Sequence, residues 1–141
     1  MPAPSPSPAP ATPLALVREL YRAFAARDRA ALLALLHPDL VWIQNDGFPH
    51  GGEHRGATHV LDTVLARFRQ EWSAWAVETT EWFECGAAVI VLGAYRGTHA
   101  ATGRAMHAAF AHVYRVEAGR ITRFQQFTDT HAVRSALPPC A

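Results

Sequence analysis

The last two strand-like segments of this sequence carry polar residues suited to chemistry, set among aromatic side chains. If Ala118 and Gly119 form a two-residue turn, Glu117 pairs with Arg120 and the register of the whole hairpin is fixed. Because side chains alternate between the two faces of a strand, one face then carries Phe110, His112, Tyr114, Gln125, Phe127 and Asp129. In this register His112 lies opposite Gln125. A one-residue bulge would exchange the two faces.

Asp129 and His112 are the candidate catalytic residues of this face. A carboxylate among aromatic rings is poorly solvated and can act as a general acid or base near neutral pH. A histidine beside it can hydrogen-bond the carboxylate or, as neutral imidazole, polarise a substrate carbonyl. Each residue also has a structural alternative. Asp129 can be the N-cap of the short helix that follows it, and His112 can be a core histidine bonded to Gln125.

Two aromatic residues of the N-terminal half are further candidates for ligand contact. Tyr21 lies on the apolar stripe of the first helix, where its hydroxyl needs a partner in the pocket or in the core. Trp42 shares one face of its strand with Gln44, as a pocket wall or as a core residue. The predicted substrate-binding residues are Tyr21, Trp42, Phe110, Tyr114, Gln125, Phe127, His50 and His54.

The segment 45–56 contains four glycines and a proline, which predicts a loop. His50 and His54 lie in this loop and are candidates for touching a ligand. Together with Glu53 and His59 they also suggest a metal ion. Their spacing fits no zinc pattern, however, and a glycine-rich stretch does not place His50 and His54 on one helix face. We therefore predict no metal site.

The elements that position these residues follow from the hydrophobic periodicity. Apolar residues at helical spacing predict a first helix from Leu14, a short second helix after Asp28 that ends at Pro38, and a third helix across Val60 and Phe68. A single strand at 40–44 is interleaved among them. Four further strands at 76–84, 88–97, 104–116 and 120–128 and a last helix at 131–136 complete the chain. Helices first and a strand meander afterwards indicate an α+β fold, with a curved sheet that can leave a hollow beneath the helices.

Composition limits the remaining possibilities. The chain has 141 residues, 50% of them hydrophobic, and a net charge of +1 with scattered basic residues, so we expect one domain that binds neither nucleic acid nor membrane. Residues 1–13 read as a disordered Pro-rich tail, 14–137 as the domain and 138–141 as a second tail. The leader lacks the features of a signal peptide, so a cytoplasmic location is expected, with Cys85 and Cys140 as free thiols.

Short segments along the chain resemble one family. They are Leu20–Asp28, His37–Trp42, Tyr95–Thr98, Thr102–Arg104, Ala111–Val116, Gly119–Phe124 and Asp129–Thr130. In this order they are similar to the SnoaL-like, polyketide-cyclase-like and ketosteroid-isomerase-related branch of the nuclear transport factor 2 superfamily. The resemblance runs from about Leu14 to Leu137 and rests on the ordered set rather than on any single motif.

The resemblance implies a cone-shaped curved sheet, antiparallel or mixed, wrapped around the N-terminal helices, with a deep pocket. It also implies a homodimer through the outer sheet face and no metal or organic cofactor. In the polyketide cyclases, the aspartate that ends the last strand drives aldol ring closure. Asp129 matches that position, and His112 is a looser match. Phe127 departs from the family pattern, because many relatives carry a tyrosine there.

Three functions remain open at this point. The first is cofactor-free acid/base catalysis of the cyclase or isomerase type on a hydrophobic, carbonyl-bearing small molecule. The second is a binding module that holds a small apolar ligand without a reaction. The third is a protein-interaction module whose pocket is filled by its own side chains.

Overall fold

The chain begins with two short helices that pack side by side. In the computed structural model, which describes residues 11–139, helix α1 spans Pro13–Ala26 and helix α2 spans Arg29–Leu35. The Thr12 hydroxyl caps α1 and the Asp28 carboxylate caps α2, each accepting from a backbone N–H three residues on. The helix therefore starts at Pro13, inside the segment predicted as a tail. Residues 1–10 of that tail, and Cys140, lie outside the described residues.

A third helical segment, α3, covers residues 57–71. It starts as an α-turn at Ala57–His59, widens to π-helical geometry at Val60–Leu65 and returns to α-helix at Ala66–Glu71. Its buried positions are Ala57, Val60, Val64 and Phe68. The last three belong to the apolar face that predicted a helix, because positions three or four apart share one face.

The sheet has six strands, β1 Leu36–Gln44, β2 Gly52–Arg55, β3 Trp72–Cys85, β4 Ala88–His99, β5 Ala105–Glu117 and β6 Arg120–Thr128. Their spatial order is β2-β1-β6-β5-β4-β3. Only the β1–β6 pair among these neighbours is parallel, so the sheet is mixed. The prediction that all of 45–56 is loop is wrong, because residues 52–55 pair with β1 as its outer neighbour.

Helix α4, Thr130–Arg134, closes the chain against the sheet. The α+β prediction, with a curved mixed sheet around the helices, is confirmed. One core lies between the concave sheet face and the helices, and its fully buried side chains include Leu20, Leu36, Leu40, Val60, Val89, Val91, Tyr114 and Ile121. Among the described residues, no helix is long and apolar enough to cross a membrane.

The register of the last hairpin differs from the prediction in one respect. Ala118 and Gly119 form the expected turn with φ of 49° and 76°, and Glu117 pairs with Arg120. The register then shifts between Arg115 and Val116, because β6 contributes one extra residue, Thr122, at a bulge. From there on, the two faces of β6 are exchanged relative to the simple hairpin.

The predicted pairing of His112 with Gln125 is therefore wrong. His112 pairs with Gln126, and Phe110 pairs with Thr128. Gln125, Phe127 and Asp129 consequently lie on the opposite side of the sheet from His112.

Candidate functional site

A buried histidine lies at the centre of the site. His112, in the middle of β5, is 4% exposed. Its Nδ1 atom is 2.5 Å from the Tyr21 hydroxyl on α1, and its Nε2 atom is hydrogen-bonded to the Tyr95 hydroxyl on β4. The ring stacks on Phe110 with a centroid separation of 3.8 Å. A helix and two strands thus hold both ring nitrogens in place.

Hydrogen bonds extend from this histidine in both directions. The Tyr114 hydroxyl donates to the Tyr21 hydroxyl at 2.8 Å, and the Gln126 side-chain amide donates to the Tyr95 hydroxyl, also at 2.8 Å. The Gln126 carbonyl oxygen accepts from the backbone N–H of Asn45 at 3.1 Å, which fixes the orientation of its amide. We call Tyr21, Tyr95, His112, Tyr114 and Gln126 the tyrosine–histidine network.

Burial keeps this network uncharged. It lowers the pKa of His112 to about 3, so the imidazole is neutral at physiological pH. Burial also raises the pKa of Tyr21, Tyr95 and Tyr114 above the ordinary range of a phenol. The four rings therefore exchange hydrogen bonds as neutral groups.

The rings of the network carry one more O–H or N–H proton than there are hydrogen bonds between them. Three phenols and one neutral imidazole supply a proton each, but only the bonds Tyr114–Tyr21, Tyr21–His112 and His112–Tyr95 join them. If His112 carries its proton on Nε2, the Tyr95 proton has no acceptor. If the proton is on Nδ1, the Tyr21 proton has none. One O–H group is therefore free to donate to a ligand oxygen.

The structure brings together only some of the residues predicted from sequence. Tyr21, Phe110, His112 and Tyr114 meet at the network. Tyr95 and Gln126 belong to it and were not predicted. Correct pairing of β4 with β5 would have placed Tyr95 opposite Ala108, on the same face as His112, but the intervening loop does not reveal that register. Gln126 was missed because the bulge at Thr122 reverses its face.

Trp42 lies in the core beside the network. Its ring stacks on Phe124 at 3.8 Å and meets the edge of Phe24 at 6.2 Å. Its indole N–H donates to the Gln44 side-chain oxygen at 3.2 Å. All of its partners are residues of this chain, so in this structure Trp42 is a packing residue.

Asp129, Gln125 and Phe127 lie away from the network. Asp129 is exposed, and its carboxylate accepts from the backbone N–H of Ala132 at 3.0 Å as the N-cap of α4. Phe127 is 48% exposed on the outer face of the sheet, and Gln125 pairs with Val113 on that face. The geometry therefore does not combine Asp129 with His112 as an acid/base pair.

His50 and His54 hold the loop between β1 and β2. The Nε2 atom of His50 lies 2.6 Å from the Glu71 carboxylate, and that of His54 donates to the His50 carbonyl at 2.7 Å. In the part of the chain that the structure describes, no three His, Cys, Asp or Glu side chains are arranged to hold a metal ion.

The space beneath the helices is filled by aromatic side chains of the chain itself. Phe48, from the same loop, is 6% exposed and packs among Phe68, Trp75 and Tyr95. A cleft of about 380 Å³ lies near Trp75, Gly97 and Met106, and one of about 280 Å³ lies between α2 and α3. Neither of these two clefts is lined by His112.

Solved structures share this architecture over nearly the whole chain. A nuclear-transport-factor-2-like protein from Burkholderia thailandensis E264 is 36% identical, with a TM-score of 0.87 over 92% of this chain and 99% of that one. A protein of unknown function from Burkholderia pseudomallei K96243 is 31% identical, with a TM-score of 0.81 over 90% and 98%. IdmH from Streptomyces antibioticus, a candidate polyketide cyclase, shares the fold at 22% identity and a TM-score of 0.74 over 89% and 98%.

No functionally curated protein matches the sequence. The model of one family, the SnoaL-like domain, matches residues 17–124, from the first helix to the last strand. The chain therefore belongs to the SnoaL-like domain family.

Proposed function

We propose that the protein binds a small apolar molecule that carries a carbonyl group, inside the cone. With His112 in its Nε2–H tautomer, the Tyr95 hydroxyl of the tyrosine–histidine network donates the hydrogen bond to the carbonyl oxygen. The observation that supports this is the proton left over within the network. A buried O–H group without an acceptor is costly, and a ligand oxygen satisfies it.

Polarisation of a carbonyl is the chemistry that such a donor provides. A hydrogen bond to the oxygen stabilises the negative charge that develops there during enolisation or aldol ring closure. Since the imidazole is neutral, the nitrogen that carries its proton decides whether Tyr95 or Tyr21 keeps a free O–H group, and neither tautomer places a charge in the core. This function requires neither a metal nor an organic cofactor. The fold neighbour IdmH is described as a candidate polyketide cyclase, and a cyclase closes rings.

The site differs from the one expected from the family resemblance. The base in that expectation is Asp129, which here caps α4 at the surface. None of the five side chains of the tyrosine–histidine network is a carboxylate. The geometry therefore supports ligand binding and carbonyl polarisation more directly than proton abstraction by an aspartate.

The experiment uses 4-hydroxyacetophenone, a one-ring methyl ketone, as a probe. Binding is measured by the ring resonances of His112 in ¹⁵N NMR, since a ligand oxygen at Tyr95 selects the Nε2–H tautomer. Catalysis is measured by exchange of the methyl protons with D₂O. Binding that depends on the Tyr95 hydroxyl supports the proposal. If the protein also accelerates exchange of the methyl protons with D₂O, it is an enzyme. A Tyr95→Phe variant that binds as well as the wild type contradicts it.

A protein-interaction module is the second candidate. It is favoured by the filled interior and by an apolar outer sheet face, where Phe83 and Phe127 are each 48% exposed. Under this alternative the network only stabilises the core, and the probe binds to neither the wild type nor its variants.

A further inference from the structure

The loop between β1 and β2 inserts an aromatic side chain into the body of the protein. The Phe48 ring stacks on Phe68, with a centroid distance of 5.4 Å and an interplanar angle of 15°. It lies 6.2 Å from Trp75 and 5.9 Å from Tyr95, centroid to centroid. We call Phe68, Trp72, Trp75 and Tyr95 the aromatic box. Phe48 is thus a loop residue that occupies a ring-sized space beside a member of the tyrosine–histidine network.

Apart from the Phe48 ring, polar contacts hold the middle of this loop. The Gln44 amide donates to the carbonyls of Pro49 and His50, at 3.0 and 3.3 Å. The His50 ring bonds to Glu71 at 2.6 Å, and both of these side chains are partly exposed. His50 itself has a φ of 59°, which is unfavourable for a residue with a side chain. Since His50 and Glu71 are partly exposed, water can replace their contact when the loop moves.

The aromatic box also contains a donor without an acceptor. Trp72 is 5% exposed, and its ring centroid lies 5.7 Å from Phe68 and 5.0 Å from Trp75. Within residues 11–139, its indole Nε1 is the buried side-chain nitrogen or oxygen that has no hydrogen-bond partner. Phe48 packs on Phe68 and Trp75, the same two rings that flank Trp72, and offers no oxygen. A buried indole N–H normally has a partner, so its acceptor is missing here.

We propose that Phe48 is a displaceable plug, and that an aromatic ring bearing oxygen substituents takes its place in the aromatic box. Trp72 donates to one oxygen of that ring, and the tyrosine–histidine network donates to another. The His50–Glu71 pair is the latch that keeps the plug in place. This inference rests on the proposed function, for which it names the ligand class, a further binding residue and the condition for entry.

The test titrates 4-hydroxyacetophenone, which carries a carbonyl and a hydroxyl oxygen on one ring, into the full chain and its variants. Phe48→Ala removes the plug and is expected to lower the Kd at least tenfold. Glu71→Ala releases the latch and is expected to lower it severalfold. Phe24→Ala is the matched control, because it removes an aromatic ring that packs on Trp42 outside the box. It should leave the Kd unchanged.

Two further readouts locate the ligand. The indole N–H resonance of Trp72 should move downfield as an acceptor arrives, while that of Trp82, beneath α1, stays in place. In the wild type, the backbone amide resonances of residues 45–48, 50 and 51 should shift with the same saturation curve as the Trp72 indole. If Phe48→Ala does not fold, Phe48→Leu is measured instead, and the expected decrease in Kd is smaller.

The outcomes separate this inference from the proposed function. If the wild type binds the probe through Tyr95 but Phe48→Ala binds no tighter and the Trp72 indole does not move, the plug is wrong and the proposed function stands. If Phe48→Ala lowers the Kd and the Trp72 indole resonance shifts, but Tyr95→Phe leaves the Kd unchanged, the plug stands and the role of the network is wrong. If no variant binds the probe, both are wrong.

Discussion

At the scale of single residues, the site depends on burial. His112 is enclosed by two phenols and the ring of Phe110, so the protonated imidazole is strongly disfavoured. The phenols are neutral for the same reason. A group of neutral donors in a water-poor interior suits hydrogen bonding to a carbonyl, because each bond is stronger there than in water.

The first prediction concerns the pH dependence of stability. The pKa of His112 falls from 6.5 to about 3 on folding, so the unfolded chain binds the extra proton below pH 6.5. Its contribution to stability is complete above that pH and is lost as the pH falls towards 3. Between pH 6.5 and 5, we expect the wild type to lose roughly 2 kcal/mol more unfolding free energy than His112→Gln. Urea titrations at both pH values measure this, and equal losses would contradict a neutral His112.

The second prediction compares two tyrosines. Tyr95→Phe leaves both the Gln126 amide and one histidine nitrogen without a partner, so we expect a loss of about 2–3 kcal/mol in unfolding free energy. Tyr114→Phe removes one bond at the end of the network and should cost only about 1 kcal/mol. Urea unfolding of the two variants gives the comparison. The reverse order would mean that Tyr95 is not the junction of the network.

At the scale of elements, the bulge in β6 and the close packing of β4 decide which side chains reach the interior. The extra residue Thr122 turns Gln126 inward and Gln125 outward. On β4, Gly93 lets the ring of Phe110 lie directly over the strand. Both features are local backbone details that select the lining of the core.

The third prediction separates capping from catalysis at Asp129. Asp129→Ala removes the N-cap of α4 and should lower stability by about 1 kcal/mol. Asp129→Asn keeps a capping side chain and should change stability by only a few tenths of a kcal/mol. Neither substitution should alter binding of the probe or exchange of its methyl protons. A large loss of exchange in Asp129→Asn, with stability retained, would restore Asp129 as the acid/base residue.

The fourth prediction tests the close approach at Gly93. A Cβ atom there would lie 2.1 Å from the Glu78 carbonyl oxygen and 2.6 Å from the ring of Phe110. Gly93→Ala should therefore cost at least about 2 kcal/mol in urea unfolding, because neither strand backbone nor core ring can move freely. Ala109→Gly, an exposed position on the neighbouring strand β5, is the control and should cost about 1 kcal/mol or less. Equal losses of unfolding free energy in the two variants would contradict the close approach of Phe110 to Gly93.

At the scale of the whole molecule, the sheet has two apolar faces, and the helices cover only one of them. On the outer face, paired positions bring Ile43, Gln125, Val113, Ile90 and Phe83 into one row across the strands. Phe127, Ala111 and Leu92 form the next row. An apolar surface of this kind is typical of an interface between protein chains.

The fifth prediction is that the outer face forms a homodimer. Phe127→Glu places a charge at the β6 end of the second row and should shift the protein to monomers. Ala25→Glu, on the exposed side of α1, is the matched control and should leave the assembly unchanged. Sedimentation equilibrium measures both. A wild type that is monomeric at all concentrations would contradict the prediction.

The sequence by itself determined the elements other than β2, the α+β class and the inward orientation of Tyr21, His112 and Tyr114, because hydrophobic periodicity and turn residues act locally. Only the tertiary structure decided the composition of the site. A single extra residue in β6 moved Gln126 in and Asp129 out. The pairing of β4 with β5 put Tyr95 on the same face as His112, where its hydroxyl reaches the ring. Such choices depend on the packing energy of the whole sheet, which no local pattern records.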